Sequence, residues 1–167
     1  MSSIRQRIFE HLEARFKAIT VGATRVVSTA PERGEYEIAY GPDNVTRKPI
    51  DGMPKGTRAI VGIYAGKDNK TLKAGVAMHV AQEATLEIHV SREVDEALEN
   101  LLEQAVAEAE RVLMEDMTCG GLAVGILVRE SETDVDGFFA GAGSAALYFT
   151  ILFRHHRDDP SRDIDDQ

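Results

Sequence analysis

The side chains able to do chemistry in this chain fall into a few groups. His79, Glu83, Glu87 and His89 share one parity of a long alternating run, residues 76–90. Neighbours two apart on a strand face sit about 7 Å from each other. A Glu beside a His is a pairing used in general acid–base catalysis. No third group is placed to orient Glu87 and His89, and the plainer account is a solvated strand face alternating with a buried one. His155 and His156 stand close to Asp158 and Asp159. Imidazole and carboxylate are metal ligands, but adjacent side chains at a strand end point in opposite directions and do not easily share one ion. Cys119, the single cysteine, precedes Gly120 and Gly121 after a helical stretch. A nucleophilic thiolate favours a helix N-terminus, where the dipole lowers its pKa; Cys119 is at the other end. The glycine-rich pieces GFFAGAG and CGG do not follow a strand and open a helix, so neither has the form of a phosphate-cradling loop. These groups assign no catalytic residue, no metal site and no cofactor.

The chain that must position them has 167 residues, with 19 Lys and Arg against 28 Asp and Glu and a net charge of −9. That sign argues against a nucleic-acid-binding surface and suits a surface that DNA passes without sticking. No run of about 18 apolar residues is present to span a membrane. Charges interrupt the opening MSSIRQRIFEHLEARFKAI, so it reads as amphipathic rather than as a signal peptide. One cysteine cannot form an internal disulfide, which points to folding in the cytoplasm.

Ile4, Ile8, Leu12, Phe16 and Ile19 recur at helical steps and predict a helix over 3–19, with Ser3 and Gln6 at capping-box spacing. Residues 20–33 read as a loop, and 35–40 alternate weakly, the pattern of a short strand. Three prolines and three glycines in 41–57 leave no regular element there. Residues 58–64, apolar on both faces, suit a central strand; 65–75 follow as a polar, turn-rich excursion. The run 76–90 is one long strand, or two meeting at a bulge near Gln82. Ser91 is placed to cap a helix over 92–116. Val94, Leu98, Leu101, Leu102, Ala105, Ala109, Val112 and Leu113 form its apolar stripe, and Glu96, Glu99, Glu103 and Glu110 its polar face. Strands at 122–131 and 144–156 flank a turn over 132–143.

The pattern predicts an α+β fold: a mixed, mostly antiparallel sheet of about four to five strands with two main helices packed on it. It is read as one domain over 1–156, with long loops at 41–57 and 65–75, and a flexible acidic tail over 157–167. The last strand is apolar on both faces, and two helices leave one of those faces short of cover; subunit contact is one remedy.

Four stretches carry a resemblance. They are SSIRQRIFEHLEARFKAI; RKPIDGMPKGTRAIVGIYAGKD; ATLEIHVS running into VDEALENLLEQAVAEAERVL; and CGGLAVGILVRESETDVDG followed by a strand ending FRHHRDDP. In order and spacing, over about residues 3–160, the chain resembles the tail terminator (minor tail, or tail-completion) proteins of long-tailed bacteriophages. It departs from them in a longer 20–57 region. The resemblance implies a non-enzymatic structural protein in the virion tail, at its head-proximal end, made in the host cytoplasm. Such proteins form a ring, a hexamer, on the finished tail tube, stop its polymerisation and present the surface that the head connector binds. The implied partners are further copies of the chain, the tail-tube protein and the head-connector protein, with DNA passing through the bore unbound and no membrane involved. A ring needs one patch of each subunit to meet a different patch on its neighbour. The residues able to anchor such contacts from the loops are Tyr40, Val45, Ile50, Met53, Tyr64 and Leu72; the other account is that some of them only pin the loops to their own domain. The alternatives are a head–tail connector or tube-related protein, and a small α+β enzyme with an interface site using Glu87 and His89.

Overall fold

The computed structural model describes residues 2–26, 34–73, 75–92, 97–135 and 141–164. Helix α1 is Ile4–Lys17 and helix α2 is Leu98–Glu115. The strands are β1 Val45–Thr46, β2 Ala59–Leu72, β3 Ala77–Ser91, β4 Gly125–Asp134 and β5 Ala142–His156. They form one sheet in the order β1-β2-β3-β5-β4, with β1–β2 parallel and every other pair antiparallel. This is the expected α+β architecture, a mixed sheet carrying two helices.

The centre of the sheet is the β3–β5 pair, in register from Ala77 opposite His156 to Ser91 opposite Ala142 without a shift. Even-numbered β3 residues and odd-numbered β5 residues share a face, and Val80, Ala84, Leu86, Ile88, Leu147, Phe149, Ile151 and Phe153 are all buried on it. Both helices lie there. α1 buries Ile4, Ile8, Phe9, Leu12 and Phe16, and α2 buries Leu101, Leu102, Ala105, Ala109, Val112 and Leu113. Gly143 lets α2 approach closely: a Cβ on it would stand 2.8 Å from Leu102 Cδ1.

Several boundaries differ from the sequence reading. The break near Gln82 belongs to the partner strand: β3 runs straight, and β2 bulges between Ala65 and Asp68. The buried Gln82 amide donates to the carbonyls of Gly66, Lys67 and Glu83, which the bulge frees from the ladder. The polar stretch 65–72 is strand, because both its faces are solvated and polarity there carries no penalty. The loop 41–57 contains a 3-10 turn, Pro42–Asn44, and then β1, paired with Val61 and Gly62. Ser91 does not cap α2; it ends β3, its hydroxyl donates to Thr57 O, and the helix starts at Leu98 behind Ala97. Val94 and Glu96 lie outside the described residues, as does most of GFFAGAG. The segment after 156 is tied down rather than loose: Ile4 N–H donates to Pro160 O, His156 N–H to Arg162 O and Arg157 N–H to Val76 O. Residues 165–167 lie outside the described set.

Residues 34–40 form no strand, although Tyr36, Ile38 and Tyr40 are buried alternately. Tyr36 N–H donates to Ala23 O, and the next two backbone donors go to a side chain. Glu108 on α2, 4% exposed, accepts from Glu37 N–H at 2.7 Å, Ile38 N–H at 3.1 Å and the Gln104 amide at 2.8 Å. Two turns further on, Glu115 accepts from Val26 N–H at 3.0 Å and Tyr36 O–H at 2.9 Å. The two carboxylates pin Val26 and residues 36–38 to the helix. Glu108→Ala strands two backbone donors, one of them buried, and is expected to lower stability by about 3 kcal/mol in urea unfolding. Glu103→Ala, on the exposed face of the same helix, should move it by less than about 0.5 kcal/mol.

Candidate functional site

Among the described residues no helix lies on the second face of the sheet. Its rows run across the strands: Tyr64, Thr85, Tyr148 and Glu130; then Gly62, Glu87, Ala146 and Glu132; then Ile60, His89, Ser144 and Asp134. The small side chains of Ala146 and Ser144 leave a shallow open trough of about 290 Å³ between Glu87 on one side and Glu132 on the other, closed at one end by Tyr64 and Tyr148.

One margin of this face is covered by the chain itself. After β1, the loop crosses Gly62, where a Cβ would lie 2.6 Å from Lys48 O and 3.2 Å from Ile50 Cγ1. Any larger residue at 62 would push the loop away. Glu87 holds the loop down: its Oε2 accepts from Ile50 N–H at 3.1 Å and from Tyr64 O–H at 3.5 Å, while its Oε1 meets His89 Nε2 at 2.9 Å. Glu87 and His89, which the sequence offers as an acid–base pair, are therefore brought together. Both Glu87 oxygens are engaged, and what the pair does here is fasten backbone. Burial raises the Tyr64 pKa, and Glu87 adds to it. Tyr148 is pushed up to about 12, first by its bond to Glu132 and then by burial. Both phenols stay protonated and act as donors to carboxylates at neutral pH.

The six predicted contact residues separate. Tyr40 is 4% exposed and sits edge-on to Phe16 with ring centroids 6.0 Å apart; Val45 is buried in β1. Both belong to the chain's own core, so for these two the own-domain account holds and the subunit contact does not: the 3-10 turn and β1 fold that part of the loop inward. Ile50 and Met53 are half-buried in the crossing loop, and Tyr64 is half-buried beside the trough. Leu72, 52% exposed, ends β2 at the hairpin tip, with Val76 exposed across the turn. The face also exposes an apolar residue that the sequence reading did not single out: Leu127, opposite Thr150 near the start of the edge strand β4, is 50% exposed. Val124, 59% exposed, lies just before β4, at the parity of the helix-facing Ile126. The signal for them lay in β4, whose first residues are apolar at both parities.

The remaining candidates resolve into structural roles. His155 is buried on the helix side with Nδ1 2.7 Å from His156 O, and His156 lies on the opposite face. Among the described residues no three His, Cys, Asp or Glu side chains converge as metal ligands, and no helix is long and apolar enough to cross a membrane. Cys119 is buried at φ +50° in the turn after α2. Next to it, Asp116 accepts from Gly120 N–H at 2.8 Å and Thr118 O–H at 2.9 Å, and its Oδ2 lies 2.9 Å from His11 Nε2. This knot joins the end of α2 to α1, and the buried Arg15 guanidinium reinforces it through Glu115 at 3.7 Å. The chain matches no protein-family model and no curated protein.

Two measurements test this region. Burial pushes the Cys119 thiol up to about 12, and Asp116 adds to it. Alkylation by iodoacetamide at pH 8 should run more than about a hundredfold slower in the folded chain than in urea, read by mass spectrometry. For Asp116, burial raises the pKa, but the bonds from Thr118, Gly120 and His11 outweigh it and hold the carboxyl below its usual value. Its contribution is then fully present above the unfolded carboxyl's pKa and disappears as pH falls through the folded one. Asp116→Asn should cost about 1–2 kcal/mol at pH 7, and the gap from the parent should close below about pH 4.

Proposed function

We propose that this chain is a phage tail terminator: a ring-forming structural protein that caps the tail tube, stops its polymerisation and offers the surface the head connector joins. The observation that carries this reading is the sheet face without helices. It combines an exposed apolar residue, Leu127, with a row of carboxylates and a loop strapped across one margin. Exposed apolar surface beside a polar rim is the mark of a docking surface. The β2–β3 hairpin supports the same reading, since it ends in the exposed apolar pair Leu72 and Val76. The net charge of −9 fits a bore that lets DNA slide.

The Glu87–His89 bond favours one other reading, a small α+β enzyme with its site at a subunit interface. The full engagement of both Glu87 oxygens counts against it. A head–tail connector or a tube-related protein remains the alternative within assembly, and it differs in outcome: tube subunits add without limit, whereas a terminator stops growth.

The test is light scattering across a concentration series, alone and with purified tail tubes, followed by electron microscopy. A closed ring, forming alone or on tube ends, and tubes that stop growing are the expected result. A chain that stays monomeric beside tubes, or that lengthens them, overturns the reading.

A further inference from the structure

β4 leaves one whole edge of the sheet open: among the described residues only β5 pairs with it. Past the bulge at Val128–Glu130 it runs straight, from Glu130 opposite Tyr148 to Asp134 opposite Ser144, and every residue from Arg129 to Asp134 is exposed. An unpaired edge is a template for another strand. Proline, lysine or extreme shortness commonly blunts such an edge; β4 is ten residues long and holds neither proline nor lysine.

Its side chains alternate. Glu130, Glu132 and Asp134 stand on the helix-free face, level with Tyr148, Ala146 and Ser144, about 7 Å from one to the next. Ser131 and Thr133 stand between them on the helix side, level with Leu147 and Ala145. Among the described residues no lysine or arginine is ion-paired with Glu130 or Glu132. Arg129, beside them in sequence, gives its Nε–H to Thr150 Oγ1 at 2.6 Å instead. Toward the start of the strand the same face ends on the exposed Leu127.

We propose that β4 is the docking edge for an extended basic segment of another protein, which adds as a further strand with Lys or Arg at every second position. Antiparallel addition is the stabler arrangement per residue. Directly opposite residues of neighbouring strands put their Cβ atoms about 5 Å apart on one face. A cation is therefore matched to each of Asp134, Glu132 and Glu130, and to no position between. The positions between meet Ser131 and Thr133 and take small or β-branched residues. β5 passes the bulge by setting Phe149 against Val128 and Thr150 against Leu127; the same register on the outer side sets an apolar residue against Leu127. From its N-terminus the segment then runs cation, small, cation, small, cation, small, apolar. Backbone bonds hold it, and the charges select it.

The occupant is not a second copy. The far half of β2 has its lysines three apart, at Lys67 and Lys70, and Lys70 lies on the helix side with its Nζ 3.3 Å from Asp68. No described strand of this chain carries Lys or Arg at every second position. The docking edge stands apart from the ring reading and holds whether or not copies assemble.

The probe is the peptide Lys-Thr-Lys-Thr-Lys-Thr-Leu, with a fluorescent label, titrated with the full chain at low salt and read by anisotropy. It should bind with a Kd below about 1 mM, and hydrogen exchange should show added protection in β4. Glu130→Gln with Glu132→Gln should weaken binding at least about tenfold. Glu99→Gln with Glu103→Gln, on the exposed face of α2, removes the same charge and should change it less than about twofold. The peptide N-methylated at two successive residues should bind at least about tenfold more weakly, since successive N–H groups point to opposite edges and one of the two must face β4. Should the β4 variant fail to fold by circular dichroism, the N-methylated peptide and the exchange pattern of the parent decide. Equal losses in the two double variants would mean general attraction to an acidic chain and overturn the proposal. So would undiminished binding of the N-methylated peptide, or protection outside β4. No binding at all would mean that the carboxylates only guard the edge. If light scattering shows the chain associating with itself, and β4 is protected without peptide, a second copy holds the edge and the proposal fails.

Discussion

The structure depends on the unshifted pairing of β3 with β5. Side chains alternate across a strand, so a slip of one residue along this ladder would turn Leu86, Ile88 and Val90 out to solvent and bring Glu87 and His89 into the core. The ladder keeps its register because irregularity is moved to its flanks. β2 bulges at Ala65–Asp68 and β4 at Val128–Glu130, one on each side of the straight pair. A bulge increases local twist and bends its strand, so the outer strands supply the coiling of the sheet while the central pair stays continuous. Gln82 shows how closely this is matched. It is the one polar residue among the helix-facing even positions of β3 from 78 to 90, and its amide serves the carbonyls that the bulge opposite sets free.

A second feature follows from having long loops around so regular a sheet. Irregular backbone near a core must still place its polar groups, and here polar side chains on the regular elements receive many of them. Glu108 and Glu115 on α2 take the N–H groups of Val26, Glu37 and Ile38, Glu87 on β3 takes Ile50 N–H, and Asp116 takes Gly120 N–H. Four carboxylates of a strongly acidic chain thus act as backbone acceptors. Part of the negative charge that reads as surface character is structural.

This explains what was legible in the residues and what was not. α1, the body of α2 and the length of β3 were legible, because each buries one face and shows it as a period of 3.6 or 2. The far half of β2 was not: neither of its faces is buried, so it has no apolar period, and Gly66 with Asp68–Asn69 reads as turn chemistry. β1 was not, because two residues are too few for a period. Residues 35–40 misled in the opposite sense. Tyr36, Ile38 and Tyr40 alternate as in a strand, but the N–H groups of Glu37 and Ile38 go to the Glu108 carboxylate, and nothing local distinguishes that partner from a ladder. Glu108 itself left a trace, a carboxylate set among Ala105, Ala109 and Val112 on the apolar side of the helix. At the site, the Glu87–His89 pairing was legible from the strand period, whereas its use in holding the 47–53 loop required knowing that the loop crosses Gly62.

The expectation that β5 would be short of cover on one face resolves into a gradient along the sheet. Near the β1 end, the crossing loop shields Gly62 and leaves His89 buried. In the middle, polar neighbours satisfy the face without covering it: Arg129 donates to the buried Thr150, and Tyr148 donates to Glu132. At the start of β4 neither device operates, and Leu127 stays exposed near half-buried Leu152. A further helix would cover the whole face evenly; a strap at one margin and a bare apolar residue at the other do not serve that purpose. The asymmetry places the uncovered apolar surface on the edge strand, which has its own unpaired backbone to satisfy. The exposed Leu127 side chain and the unpaired backbone edge thus lie on the same strand.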